Sequence, residues 1–340
     1  MQEVILHIGV HKTGTSSIQS ALHKFDDGDT FYAQLGNNNH SLAMHTIFSS
    51  DYRNHHVWKA QGITDQKLDS LRKQFLEALK GQVAREDRKR LVICAEGVCI
   101  LKDDEKERLV DFFTSNGVAL KIICYVRDPA SLAASSFQER VKAGMNETLL
   151  APYPSFEKIL EPFERLVDKN NILVKYFSRE NMKGKCVVKD FCSILNIKID
   201  KVVDLNESMP TSALKLLFNF NNLPLPRDGD KRIHEARQKM IEALSYAYRH
   251  ERKIDSQYFL ESIEGSQYEF FKKNLGITLM PEKAPRDLKS LEDFLLDRND
   301  LDLSYLDNLL EKLSVNPDFF QSIESKMTML FFGILGQWHQ

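Results

Sequence analysis

Apolar runs of strand length alternate with stretches of helical spacing from the N-terminus to Asn196. Residues 4–10, VILHIGV, are apolar except for His7 and read as a buried parallel strand. From Thr15 onward Ile18, Ala21, Leu22 and Phe25 fall at helical spacing, so a helix follows across a short turn. Residues 91–95, 118–126 and 172–177 are three more strand-like runs. Between them lie helical patterns at residues 65–79, 103–113 (with Asp103 as cap), 131–142, 155–168 and 185–195. Pro162 predicts a break or kink in the fourth of these. Strands alternating with helices predict an α/β fold with a mostly parallel sheet flanked by helices.

Two segments depart from that rhythm. Residues 36–58 are rich in Asn and His and read as loops and short helices over a surface, with His40 exposed there. After Asn196 the pattern becomes helical, at residues 211–220, 233–248, 291–296 and 303–313, with a turn at 223–229. The apolar cluster at 330–335 reads as a docking helix. The expected organisation is therefore a core at residues 1–205 and a mainly helical part at 206–340. A breaker-rich connection at residues 144–154 predicts a loop over the site.

Composition narrows the function classes. The 340 residues carry a formal net charge of −2, so no basic surface for nucleic acid is expected and any anion site must be local. Five scattered cysteines form no zinc spacing, and Cys94 and Cys124 lie in apolar runs, which predicts buried free thiols in a reducing compartment. The histidines of residues 36–58 match no metal pattern, so no metal is expected. No signal-peptide pattern and no membrane-length apolar run is present, which predicts a cytoplasmic protein without a membrane span.

The candidate chemistry sits in the first turn. A strand, a tight loop and a helix aim backbone N–H groups and a helix's positive end at one point, which makes an anion site of P-loop type. Gly9 and Gly14 have Walker A spacing and Ser16 stands at its hydroxyl position, but Thr15 replaces the lysine; the lysine lies inside the loop, at Lys12. Thr13, Thr15, Ser16 and Ser17 add hydroxyl donors. The plain alternative is an ordinary βα turn with a solvated lysine.

Lys12-Thr13-Gly14-Thr15-Ser16 resembles the Lys-Ser-Gly-Thr-Thr loop of sulfotransferases that use 3′-phosphoadenosine 5′-phosphosulfate (PAPS). A second stretch, Arg127-Asp128-Pro129 with Ser135 eight residues after the arginine, is similar to the 3′-phosphate motif of the same family. The resemblance covers roughly residues 1–200 and is weak beyond. It implies that Lys12, Thr13, Gly14, Thr15, Ser16 and Ser17 hold the 5′-phosphosulfate, and that Arg127 and Ser135 hold the 3′-phosphate. It implies PAPS as co-substrate, 3′-phosphoadenosine 5′-phosphate (PAP) as product and no metal. The acceptor implied is a hydroxyl, of glycan or glycolipid type. Lys12 would neutralise the departing oxygen. Glu96 stands where carbohydrate sulfotransferases carry their base, although Gly97-Val98 replaces the usual Lys-Ser. Glu96 as a structural partner of Lys12 or Arg127, and His40 or His11 as the base or a substrate contact, stay open. So do a P-loop kinase or nucleoside triphosphatase and a non-catalytic member of the fold.

Overall fold

Five strands form one parallel sheet in the computed structural model: β1 (Glu3–His7), β2 (Thr30–Tyr32), β3 (Arg90–Cys94), β4 (Ala119–Val126) and β5 (Ile172–Tyr176). Their order is β2-β3-β1-β4-β5, so the first strand is central. That placement accounts for its composition, since Val4, Ile5 and Leu6 are covered on both faces and buried. The structure describes residues 1–10, 12–148, 155–199, 208–224, 231–279 and 289–336. His11, the boundary at 205–206 and parts of the expected loop at 144–154 and turn at 223–229 lie outside the described residues.

The expected α/β class with a parallel sheet is what the chain adopts, with one strand more than the hydrophobic pattern marks. β2 has three residues, too few for a period, and is set by the turn before it, where Asp27 Oδ1 accepts from the backbone N–H groups of Asp29 and Thr30. Helix α1 (Thr15–Leu22) follows β1. Helix α2 (Ser41–Phe48) lies in the segment expected on the surface. Its Ala43, Met44, Ile47 and Phe48 are buried, and His40 just before it is fully buried. The helix Asp103–Ser115 is capped at Lys102 rather than Asp103: the Glu105 carboxylate reaches back to accept from the Lys102 N–H.

The chain folds as two compact units that interleave in sequence. The first comprises Met1–Asp128, Pro154–Asn206 and Gly265–Met280, and carries the whole sheet. The second comprises Pro129–Tyr153, Glu207–Glu264 and Pro281–Gln340. Its described elements are helices, among them Thr211–Asn221, which is buried from Ser212 to Asn221. The cluster at 330–335 belongs to the helix Ile323–Gly336, which buries Leu330, Phe331 and Ile334 in this unit's core.

Register fixes where chemistry can occur in the first unit. His7 of β1 lies opposite Cys94 of β3 and Ile123 of β4. The chain therefore leaves neighbouring strands at one carboxyl edge, the side on which ligands of open parallel sheets bind.

Candidate functional site

The loop after β1 is built tightly. Ile8 continues the strand by donating its N–H to the Ile123 carbonyl at 3.0 Å. Lys12 and Gly14 both adopt left-handed backbone, with φ of 67° and 77°. Glycine carries that conformation without penalty; lysine does not. Thr13 is fully buried and its hydroxyl donates to the Val10 carbonyl at 2.7 Å, closing the turn from within. Helix α1 starts at Gly14 with no side-chain cap over its first-turn amides. Val187 and Phe177 press on Gly14 from outside: a Cβ there would lie 2.6 Å from Val187 Cγ1 and 3.1 Å from Phe177 Cε2. Among the loop hydroxyls Ser16 is exposed, while Thr15 and Ser17 are buried. The Thr15 hydroxyl has no hydrogen-bond partner among the described residues. A buried hydroxyl left so beneath an uncapped helix start suits an incoming anion.

The end of β4 reaches the same loop. Arg127, the residue after β4, donates from Nη1 to the Lys12 carbonyl at 3.0 Å. Its guanidinium also lies 5.6 Å from the centre of the Phe177 ring. Phe177 thus touches the loop and flanks the arginine, a role the sequence signalled only by an aromatic at the end of an apolar run. Nearby, burial and then the charge of Asp128 push the Tyr268 hydroxyl up to about 12. Ser135 stands half-buried on the helix Pro129–Lys142 of the second unit.

The end of β3 is different in kind. Glu96 opens a short 3₁₀ turn, Glu96–Ile100, and accepts from Asn39 Nδ2 at 3.4 Å. Gly97 donates its N–H to Ser41 Oγ at 2.9 Å, which binds this turn to the start of α2. A Cβ on Gly97 would lie 2.9 Å from the Ser41 Cβ, so the close approach requires glycine. His40 is held at both ring nitrogens: Nδ1 accepts from the Cys94 N–H at 3.1 Å, and Nε2 then donates to the Ala33 carbonyl at 2.9 Å. Burial lowers its pKa to about 4, so the ring is neutral. Both nitrogens are thereby spent on the scaffold. Among the described residues no group of three His, Cys, Asp or Glu side chains could hold a metal ion. All five cysteines are free thiols, with Cys94 and Cys124 buried. No helix among the described residues is long and apolar enough to cross a membrane.

Sequence reasoning passed over His7. It ends β1 fully buried, its ring against Phe191 at 5.2 Å and Tyr125 at 5.8 Å between centroids. Neither ring nitrogen has a hydrogen-bond partner among the described residues. Burial lowers its pKa to about 4, partly opposed by the Glu96 charge.

No family model matches the chain, and no curated protein matches it. Among solved structures, the chain is similar to a sulfotransferase from Alicyclobacillus acidocaldarius, with 16% identity over 65% of this chain and 93% of that one, at a TM-score of 0.39.

Proposed function

We propose that this protein is a sulfotransferase that uses PAPS and sulfates a hydroxyl of a carbohydrate-class acceptor, a glycan or glycolipid, by in-line displacement, leaving PAP. The observation that supports this reading is the loop after β1: a left-handed lysine and, among the described residues, a helix start without a side-chain cap and a buried hydroxyl without a partner, the loop being tied to an arginine by the Arg127–Lys12 hydrogen bond. The co-substrate supplies an activated sulfuryl group on a phosphosulfate anhydride.

The chain's own residues do the rest. The amides at the start of α1, with Thr13, Gly14, Thr15, Ser16 and Ser17, bind the 5′-phosphosulfate. Lys12 lowers the barrier by neutralising charge at the departing oxygen, where a fixed cation counts most. Arg127 offers a planar fork suited to the 3′-phosphate. Ser135 is assigned to that phosphate from the sequence motif. Glu96 accepts the acceptor's proton; we prefer it to His40 because its carboxylate lies outside the backbone pairing that uses up both His40 nitrogens. Free thiols suit a reducing compartment, and we assign the reaction to the cytoplasm.

Calorimetry in chelator tests the reading. PAP is expected to bind far more tightly than ATP and without Mg²⁺. Tighter, Mg²⁺-dependent ATP binding would turn the assignment to a kinase or nucleoside triphosphatase.

A further inference from the structure

Gly9 lies directly above a group of polar atoms. The position a Cβ would take on it is 2.6 Å from His7 Nε2, 3.0 Å from Thr13 Oγ1 and 3.1 Å from Thr15 Oγ1. All three side chains are at most 2% exposed. Thr13 has spent its hydrogen on the Val10 carbonyl, so towards this space it can only accept. His7 Nε2 and Thr15 Oγ1 have no partner among the described residues. Two such atoms buried side by side cost more than a core can leave uncompensated, and buried polar groups of this kind are ordinarily joined by a bound water. A strand residue serving only to fill the core would be cheaper as Phe or Leu.

We infer that His7 is a positioning residue for the anion loop, coupled to Thr15 through one bound water beside Gly9. The proton order follows from the groups present. Neutral His7 donates from Nε2 to the water. The water donates one hydrogen to Thr13 Oγ1 and the other to Thr15 Oγ1. Thr15 is then left with its own hydrogen free to point out of the floor and donate to the anion above. No proton is transferred; the arrangement sets the direction of one hydroxyl. Glycine at position 9 keeps a Cβ away from the point on which these polar atoms converge, and the packing of the His7 ring on Phe191 and Tyr125 holds Nε2 towards it. That an anion sits above the floor rests on the proposed function; the His7–Thr15 coupling itself does not.

Two measurements on the full chain test it. The first needs no ligand. Urea unfolding of His7→Phe, Thr15→Val and the double variant forms a cycle. Each single change strands the other's polar atom and should lower the midpoint, whereas the double change should recover part of that loss. Additive effects, or a midpoint raised by His7→Phe alone, would mean that His7 is plain core and would overturn the inference. The second measures PAP affinity. His7→Gln places an amide near the Nε2 position and should stay within about threefold of wild type, while His7→Asn, which reaches only the Nδ1 position, should weaken binding about tenfold. Equal affinities for the two would also overturn it. If the unmodified protein fails to bind PAP, the proposed function falls and the urea cycle alone decides the coupling.

Discussion

The end of β3 and the end of β1 are neighbours on one sheet edge, yet they handle buried polar groups in opposite ways. At β3 the buried histidine is closed: both nitrogens of His40 meet backbone partners, and beside it Ser41 takes the Gly97 amide and Asn39 reaches Glu96. At β1 the floor is open: His7 and the Thr15 hydroxyl are equally buried and have no partner among the described residues. Two histidines with the same neutral charge and the same burial thus do different work. A closed group fixes the fold, and its loss is felt as stability. An open group is completed by water or ligand, and its loss is felt in binding.

Five variants press on that contrast. The largest effect is expected at Glu96, beside the closed histidine. Glu96→Gln keeps shape and should leave PAP binding intact, but should lose ~10²–10⁴ in single-turnover sulfate transfer if Glu96 removes the acceptor proton. Lys12→Ala should likewise lower turnover more than donor affinity, since its charge acts most as the bond breaks. Near-normal turnover in Glu96→Gln would pass the base to His11.

Next comes the arginine. Arg127→Ala should weaken PAP roughly ten- to hundredfold, the span of a charge-assisted hydrogen bond worth about 1.5–3 kcal/mol. A nucleotide without the 3′-phosphate should bind wild type and variant almost alike. Parallel loss of both ligands, seen by calorimetry, would make Arg127 a brace for the Lys12 carbonyl and nothing more.

The pH response of the two histidines is read in stability rather than in binding. Each has a folded pKa lowered to about 4 by burial, against 6.5 when unfolded. Across that window the unfolded chain binds more protons. Stability should therefore fall as pH drops from 6.5 to 4 and level off below, each histidine contributing a slope of about 1.4 kcal/mol per pH unit. Urea unfolding across the window should lose one histidine's share of this slope in His40→Gln. A slope unchanged by that substitution would mean that burial does not hold His40 neutral in the folded protein. The smallest effect is expected from Gly97→Ala, which forces a methyl against Ser41 and should cost about 1–3 kcal/mol in unfolding while leaving PAP affinity unaltered. A drop in affinity would show that the closed region also shapes the nucleotide site.

Much of this arrangement is legible in the amino-acid order, for physical reasons. A strand buried on both faces is nearly all apolar, so β1, β3 and β4 stand out, while the half-buried edge strand β5 shows as a short apolar run broken by Lys175. Gly14 and the crowd of hydroxyls after it mark a loop that needs left-handed backbone and donors. What stays hidden depends on contacts distant in sequence. Three residues of β2 carry no period. His40 looks like a polar loop residue because the groups that satisfy it, at Ala33 and Cys94, are backbone atoms. His7 looks like a blemish in a strand, since only the fold places it beneath Thr15. Phe177 and Val187 meet Gly14 from more than a hundred and sixty positions away. The interleaving of the two units is invisible to any local pattern, because each is closed by segments returning late in the chain.

Lys12 shows what such a loop demands of its backbone. A lysine at φ 67° holds a conformation that glycine adopts with less strain, and the difference is on the order of 1 kcal/mol. Lys12→Gly should therefore fold at least as well as the natural chain while losing the ammonium group. On the proposed function, the loop gives up part of the chain's thermodynamic margin in order to hold a charge where the anion would lie.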